Sequence, residues 1–197
     1  MNRNPTYCFV LINPTHLNIS TAPGYHGPRF PFIGVRSFWR VLHRAGFFSD
    51  DAIAAVNEIR WTAKTTRVVA AELRRQRIYV TNLVKCAQPH PEVPAQSAIR
   101  EDFPLLTEEI ALVNPAVIVS FGQLVFQTLT RKPIKLHSSL ESLRVTGRLP
   151  VSCFNVGDRK VPIVPSFFPI GRGNPQLAVE ILKSIRDAAP ATLAASL

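Results

Sequence analysis

The chain has 197 residues, of which 46% are hydrophobic and 18% are charged, and its formal net charge is +10. This length and hydrophobic content predict one globular domain over residues 1–197 and argue against an intrinsically disordered chain. No apolar run approaches the roughly 20 residues of a membrane span, and no signal-peptide pattern is seen at the N-terminus. We therefore expect a soluble cytoplasmic monomer (nucleoid-associated if prokaryotic) that does not bind a membrane.

The first half of the chain begins with an apolar run, continues as an irregular segment rich in Pro and Gly, and then shows helical periodicity. A helix that buries Phe38, Leu42 and Ala45 is predicted to end at Gly46, and Ser49 is predicted to cap the next helix. The predicted elements are a strand at residues 7–12, irregular chain at 13–35, and helices at 36–45, after Ser49, and at 65–76.

The second half continues the alternation of strands and helices. Its predicted elements are a strand at 77–84, a proline-rich loop, a helix at 96–113 that contains Pro104, a strand at 116–121, a helix at 123–130, short strands at 151–155 and 162–164, a helix after Asn174-Pro175, and a frayed tail at 189–197. This order predicts an α/β fold with a mostly parallel central sheet flanked by helices on both faces.

Ligands of such sheets bind at the carboxyl ends of the strands. The segments predicted to lie there carry amide, hydroxyl and aromatic side chains, without a carboxylate pair or clustered metal ligands; they are residues 13–16, 81–85, 120–122 and 165–168. The five histidines are isolated, no CxxC is present, and no glycine-rich nucleotide fingerprint or nucleophile elbow is found. We therefore predict no metal and no cofactor.

The net charge of +10 is compatible with two interpretations. A polyanionic partner such as a nucleic acid gains affinity from the release of counterions when basic side chains neutralise phosphates. A basic surface can also serve solubility alone. Charge by itself does not decide between them.

Four segments resemble motifs of the uracil-DNA glycosylase superfamily, in the family's order and over about residues 7–186. The first motif region of the mismatch-specific uracil and thymine glycosylases is similar to three successive stretches of this chain: L-I-N-P-T-H, G-Y-H-G-P-R-F-P-F and R-S-F-W-R-V-L-H-R-A-G-F. T-N-L-V-K-C is similar to Thr-Asn-Val-Val-Lys-Cys of the iron–sulfur branch. Residues 118–122 match the central strand, and V-P-S-F-F-P-I-G-R stands where the family has His-Pro-Ser or Asn-Pro-Ser and a wedge loop.

The chain also departs from the family at three points. The iron–sulfur branch needs four cysteines, whereas only Cys86 of the three here falls on a ligand position and Asp102 stands where its partner is expected, so we predict no cluster. Val164 replaces the histidine of uracil-specific members. Asn13 replaces the aspartate of their Asp-Pro-Tyr-His motif.

The resemblance implies a monofunctional DNA glycosylase that flips uracil out of single- or double-stranded DNA and hydrolyses its N-glycosidic bond for base-excision repair. It assigns Asn13 to orienting the water and His16 to a phosphate contact or to the leaving base. Asn82 pairs with the uracil edge, because its amide both donates and accepts. Phe32, in preference to Phe30, stacks on the base, and Thr15 takes the place of the tyrosine that blocks the thymine methyl group.

The resemblance also assigns the DNA contacts. Ser166 binds a phosphate. Phe168 aligns with the leucine wedge that fills the space left in the base stack by the flipped nucleotide. Arg172 contacts the phosphate backbone or the base opposite the flipped nucleotide. Lys85 is a phosphate neighbour. Three alternatives stay open: a mispair glycosylase for thymine or hypoxanthine, a non-catalytic protein that binds uracil or abasic sites in DNA, and a small-molecule hydrolase whose activity depends little on salt.

Overall fold

A five-stranded sheet forms the centre of the structure, a computed structural model that describes residues 4–14, 24–87, 93–171 and 173–195. The strands are β1 (Tyr7–Leu11), β2 (Ile78–Asn82), β3 (Val117–Phe121), β4 (Ser152–Val156) and β5 (Arg159–Ser166). Their order in the sheet is β2-β1-β3-β5-β4, in which the first four run parallel and β4 pairs antiparallel to β5.

Within the same described ranges, eight helices surround the sheet. They are α1 (Arg36–Arg44), α2 (Asp50–Asn57), α3 (Ala63–Arg75), α4 (Gln96–Val113), α5 (Gln123–Thr130), α6 (Leu136–Thr146), α7 (Pro175–Asp187) and α8 (Pro190–Ala194). In the part of the chain that the structure describes, no helix combines the length and the apolar character needed to cross a membrane.

The apolar side chains form two clusters on opposite faces of the sheet, because successive strand residues point to opposite faces. Cys8, Val10 and Ile118 face the cluster formed with α4 and α5. Phe9, Leu11 and other alternate strand residues face the cluster formed with the remaining helices. The predicted fold class, a mostly parallel sheet with helices on both faces, is thereby confirmed.

Local capping signals account for several helix boundaries. Ser49 Oγ accepts the Ala52 N–H at 3.3 Å at the start of α2, and Asn174 Oδ1 accepts the Leu177 N–H at 3.2 Å at the start of α7. Both residues satisfy main-chain donors that a helix leaves unpaired in its first turn. The caps predicted at these two positions are confirmed.

The structure differs from the prediction in three elements. Residues 136–146 form α6, for which no helix was predicted, and bury Leu136, Leu140 and Leu143. The strand predicted at 162–164 extends over the whole of β5, because Pro162 and Pro165 lie in register with Cys153 and Ser120 instead of ending it. Part of the segment predicted as a frayed tail forms α8 and buries Leu193.

Residues 24–35, the aromatic loop, are tied to α3 through a buried hydroxyl. Thr66 Oγ1 lies 2.6 Å from the Tyr25 hydroxyl and accepts the Trp61 Nε1–H at 2.8 Å. The Tyr25 hydroxyl also donates to the Pro28 carbonyl at 2.9 Å. Because these groups are buried and partnered, they hold the loop against the helix layer.

Glu72 of α3 is a buried carboxylate whose removal is expected to destabilise the fold. It is 6% exposed and accepts hydrogen bonds from Ser49 N, the Arg75 guanidinium and Gln76 Nε2. The pKa of Glu72 is lowered from 4.5 to about 2, mainly because its carboxylate accepts hydrogen bonds from Arg75. A lowered folded-state pKa stabilises the protein above pH 4.5, and this contribution is lost as the pH falls through about 2.

We therefore expect Glu72→Gln to lower the free energy of unfolding at pH 7 by at most about 3 kcal/mol. Urea unfolding from pH 7 down to acidic pH measures the difference from wild type, which should shrink as the pH falls. Glu101→Gln, at an exposed position of α4, is the matched control and should change little. A loss for Glu72→Gln that is the same at every pH would contradict the role of the ionised carboxylate.

Candidate active site

The carboxyl ends of four neighbouring strands form one edge of the sheet. Leu11 pairs with Asn82, and Phe121 pairs with Ser166. Beyond the strands, the Leu83 N–H donates to the Leu11 carbonyl at 2.7 Å, and the Gly122 N–H donates to the Ser166 carbonyl at 2.8 Å. The described residues of the segments predicted to share this edge are therefore brought together.

The crevice between β1 and β3 lies at the point where the strand order reverses. The chain passes from β1 to β2 on one side and then crosses to β3 on the other, and ligands of parallel sheets bind at such a switch point. Asn13 lies two residues beyond β1, and Gly122 directly follows β3 with φ +89°. Because this φ is in a region that side-chain-bearing residues avoid, the turn from β3 into α5 favours glycine.

Asn13 is half-buried at this switch point. Its side-chain Nδ2 donates to the neighbouring Pro14 carbonyl at 3.4 Å, which is the long limit of a hydrogen bond. A bound water or substrate can replace so weak a contact.

Asn82 is the last residue of β2 and is 4% exposed. Its side chain points to the same face as Val80, the face on which the aromatic loop and α1 pack. The side-chain Oδ1 is buried and has no hydrogen-bond partner among the described residues. An unpaired buried acceptor costs about 1–3 kcal/mol, so this position calls for a donor from a ligand.

The two predicted stacking residues differ in their surroundings. Phe32 is 7% exposed, has φ +66° and stacks on Phe38 with ring centroids 4.5 Å apart. Its carbonyl accepts the Trp39 Nε1–H at 3.0 Å. Phe30 is half-buried and meets Trp39 edge-on at 6.2 Å. Both rings lie in or against the same aromatic cluster, and which of them contacts a base stays a prediction.

The end of β5 and the segment after it pack more tightly than their sequence suggests. Ser166 is fully buried, and its hydroxyl lies 3.4 Å from the Phe167 carbonyl. Phe167 is buried edge-on against His137, whereas Phe168 is half-buried. A Cβ on Gly173 would lie 2.0 Å from the Phe168 carbonyl oxygen, so only glycine allows this close approach. The phosphate contact of Ser166 stays a prediction, and the structure gives its hydroxyl no exposed surface.

Lys85, predicted as a phosphate neighbour, makes internal contacts. Its Nζ lies 2.5 Å from Glu109 Oε2 and 2.8 Å from both Thr81 Oγ1 and the Asn82 carbonyl. Glu109 was not among the predicted site residues. Glu109 lies seven residues after Asp102, which is about two helical turns along α4. This spacing places both acids on one face of the helix and was the signal in the sequence that pointed to Glu109.

Two groups next to Glu109 are held in their neutral forms. Burial, the hydrogen bond to Glu109 and its charge raise the pKa of the Tyr79 phenol well above its ordinary value. Burial, reinforced by Glu109 and opposed by Lys85, raises the pKa of the Cys8 thiol in the same direction. A buried thiol in that state is a poor nucleophile.

Three predicted site residues, Thr15, His16 and Arg172, lie outside the described residues, and their roles stay predictions.

Val164, which stands where the resemblance places a histidine, is fully buried in the sheet in register with Val119. No group of three or more His, Cys, Asp or Glu within the described ranges has the arrangement of a metal site.

The donor set near Cys86 does not suit an iron–sulfur cluster, which is held by four thiolates, since the chain has three cysteines in all. Asp102, at the position where a second ligand would stand, instead accepts the Lys85 N–H at 2.7 Å. The carboxylate therefore ties the chain after β2 to α4.

Comparison with known proteins gives one family and two relatives. The family model described as Uracil DNA glycosylase superfamily matches residues 9–185. The type-4 uracil-DNA glycosylase of Saccharolobus solfataricus is 29% identical over 98 residues, which are 49% of this chain and 43% of that protein. The type-4 uracil-DNA glycosylase of Sulfurisphaera tokodaii is 27% identical over 121 residues, 59% of this chain and 53% of that protein. The chain thus spans about half the length of the curated relatives it matches.

Proposed function

This chain belongs to the uracil DNA glycosylase superfamily, and from that premise we propose that it hydrolyses the N-glycosidic bond of uracil in DNA and leaves an abasic site for base-excision repair. The observation that carries the proposal is the buried Oδ1 of Asn82, which has no hydrogen-bond partner among the described residues and lies at the sheet edge that also carries Asn13. The names of the two curated relatives support the same substrate.

The uracil edge complements the Asn82 amide. Uracil offers a donor at N3–H and an acceptor at O4, so Oδ1 accepts from N3–H and Nδ2 donates to O4. Binding then supplies the partner that Oδ1 lacks among the described residues. Because the base is stacked inside a duplex, it must leave the helix to reach a buried amide, and this flipping costs a few kcal/mol.

Asn13 orients the attacking water at the sugar C1′. The bond between C1′ and the uracil N1 breaks with its electron pair going to the base, the water oxygen bonds to C1′, and a water proton passes to solvent or to a phosphate. An amide is a weak base, so its contribution is to position the water while the negative phosphates stabilise the sugar cation.

We further propose that the enzyme is monofunctional. A glycosylase that also cuts the strand needs an amine nucleophile, and a neutral amine is required for attack. Lys85 Nζ donates to three internal acceptors, including the Glu109 carboxylate, so this amine is already engaged and does not face the sugar as a nucleophile. Water is therefore the proposed nucleophile.

Release of free base tests this function. The substrates are single-stranded uracil DNA and matched U·A, U·G, T·G and hypoxanthine duplexes, under single turnover with a chelator present. We expect uracil release that survives the chelator. Release from T·G or hypoxanthine duplexes alone would indicate the mispair enzyme. Salt-sensitive DNA binding with no release from any substrate would overturn the enzymatic proposal in favour of a damage-binding protein, consistent with the absence of a histidine at Val164.

A wedge role for Phe168 predicts a dependence on strandedness. Phe168→Ala should lower uracil release from duplex DNA about 10-fold, because the vacated stack is no longer filled, and should change release from single-stranded DNA little. Single-turnover rates on the two substrates give the ratio. Phe103→Ala, in the α4 layer on the other face of the sheet, serves as the control. An equal loss on both substrates would show that Phe168 supports folding instead.

A further inference from the structure

A polar cluster lies at the end of β2, on the face that packs against α4. It consists of Tyr79, Thr81, Lys85 and Glu109, which we name the β2–α4 cluster. Tyr79 Oη donates to Glu109 Oε1 at 2.6 Å, and Thr81 Oγ1 donates to Glu109 Oε2 at 2.7 Å. With Lys85 Nζ at 2.5 Å, the carboxylate accepts three hydrogen bonds from the chain in and after β2.

Lys85 connects this cluster to the main chain of Asn82. Its Nζ donates to the Asn82 carbonyl at 2.8 Å, and its own N–H donates to Asp102 of α4 at 2.7 Å. On the other side, the chain after Asn82 is held by the hydrogen bond from the Leu83 N–H to the Leu11 carbonyl. The peptide of Asn82 is thus fixed between β1 and α4.

The direction of the Asn82 side chain depends on this support. Its Oδ1 has no hydrogen-bond partner of its own among the described residues, so no contact at Oδ1 holds the amide in place before a base binds. A displacement of about 1 Å at a group that positions a substrate can cost about 10²-fold in rate. The support therefore matters for reaction even though it lies on the opposite face of the strand.

We propose that the Lys85–Glu109 ion pair is a positioning pair for Asn82, which sets the rate of uracil release without contacting DNA. This inference rests on the proposed function. The side chains of Lys85 and Glu109 are only 27% and 24% exposed. An ammonium has three protons, and all three acceptors of Lys85 are internal, so a phosphate contact would require breaking one of these bonds.

The experiment compares Lys85→Met and Glu109→Gln with wild type. Both should lower kcat/KM for uracil DNA by about 10- to 100-fold and leave the dissociation constant for undamaged DNA unchanged. In an Asn82→Ala background neither substitution should lower the rate further, because the pair acts through Asn82. Glu180→Gln breaks the exposed Arg144–Glu180 pair, and Lys183→Met removes an exposed lysine of α7; both are controls expected to keep wild-type rates.

Two results would overturn the proposal. If Lys85 contacts phosphate directly, Lys85→Met weakens DNA binding and its salt dependence, while Glu109→Gln keeps the wild-type rate or raises affinity. If the pair serves folding alone, the losses persist in the Asn82→Ala background and accompany a lower melting temperature.

A readout that does not need activity separates this inference from the proposed function. The side-chain amide resonances of Asn82 in the free protein should shift in Lys85→Met and Glu109→Gln and not in Glu180→Gln. Unchanged resonances would overturn the positioning pair even in an active enzyme. A wild-type chain that releases no uracil would overturn the proposed function, while shifted resonances would still support the pair.

Discussion

Asn13→Ala is expected to lower the single-turnover rate of uracil release about 10³-fold, because the methyl side chain cannot orient the attacking water. The stability of the fold and the affinity for DNA should change little. Asn13 lies beyond β1, and among the described residues its amide contacts the Pro14 carbonyl alone, at 3.4 Å, so its removal leaves none of their buried groups unpaired. Rates on single-stranded uracil DNA measure the effect without the cost of flipping.

Asn13→Asp is the informative companion variant. A carboxylate accepts a proton from water more strongly than an amide does, so Asn13→Asp should keep substantially more activity than Asn13→Ala. Asn155→Ala is the matched control, because it removes the same amide side chain at an exposed position of β4 and should keep the wild-type rate. Wild-type rates in Asn13→Ala would remove Asn13 from the reaction and require another group to hold the water.

Asn82→Ala is expected to change activity and stability in opposite directions. Uracil release should fall about 10²- to 10³-fold, because the base loses the amide that reads its edge. The free energy of unfolding should stay unchanged or rise by about 1 kcal/mol, because the substitution removes a buried acceptor that has no partner in the part of the chain that the structure describes. Active-site groups kept at a cost in stability are a general feature of enzymes.

Paired measurements on one preparation decide this prediction. Urea unfolding gives the stability, and single-turnover kinetics give the rate. Asn114→Ala is the control, because Asn114 Nδ2 donates to Asn4 Oδ1 at 2.7 Å and its loss removes a satisfied hydrogen bond instead of an unsatisfied acceptor. A marked destabilisation by Asn82→Ala would show that the amide supports the strand end and would weaken its assignment to uracil.

The elements that carry strong local signals were predictable from the sequence. The bounds predicted for α4 and α5 match the structure, since proline-rich chain precedes the first and Gly122 precedes the second. The helix α6 was missed because no side chain caps its first turn and because Ser138-Ser139, a residue type that favours turns and caps, lie in that turn. The length of β5 was underestimated because Pro162 and Pro165 look like strand ends, whereas both pair within the sheet.

The site was predictable where it depends on the chain following a strand. Asn13 and Asn82 each follow or end a parallel strand, so their shared edge was expected from the element order alone. The Lys85–Glu109 pair was not predictable, because its partners are 24 residues apart and meet only when α4 packs on β2. The burial of Ser166 was also hidden, because serine is mostly found at the surface.

The strand ends that form the site come from segments far apart in the chain and are joined only by the sheet order β2-β1-β3-β5. Such long-range parallel pairing forms slowly, so a partly folded chain has helices before it has a crevice. Its +10 charge, in contrast, is present whether or not the strands have paired, and such a charge favours binding to polyanions. Under the proposed function, affinity for DNA would therefore follow from the composition, whereas base excision would require the completed topology.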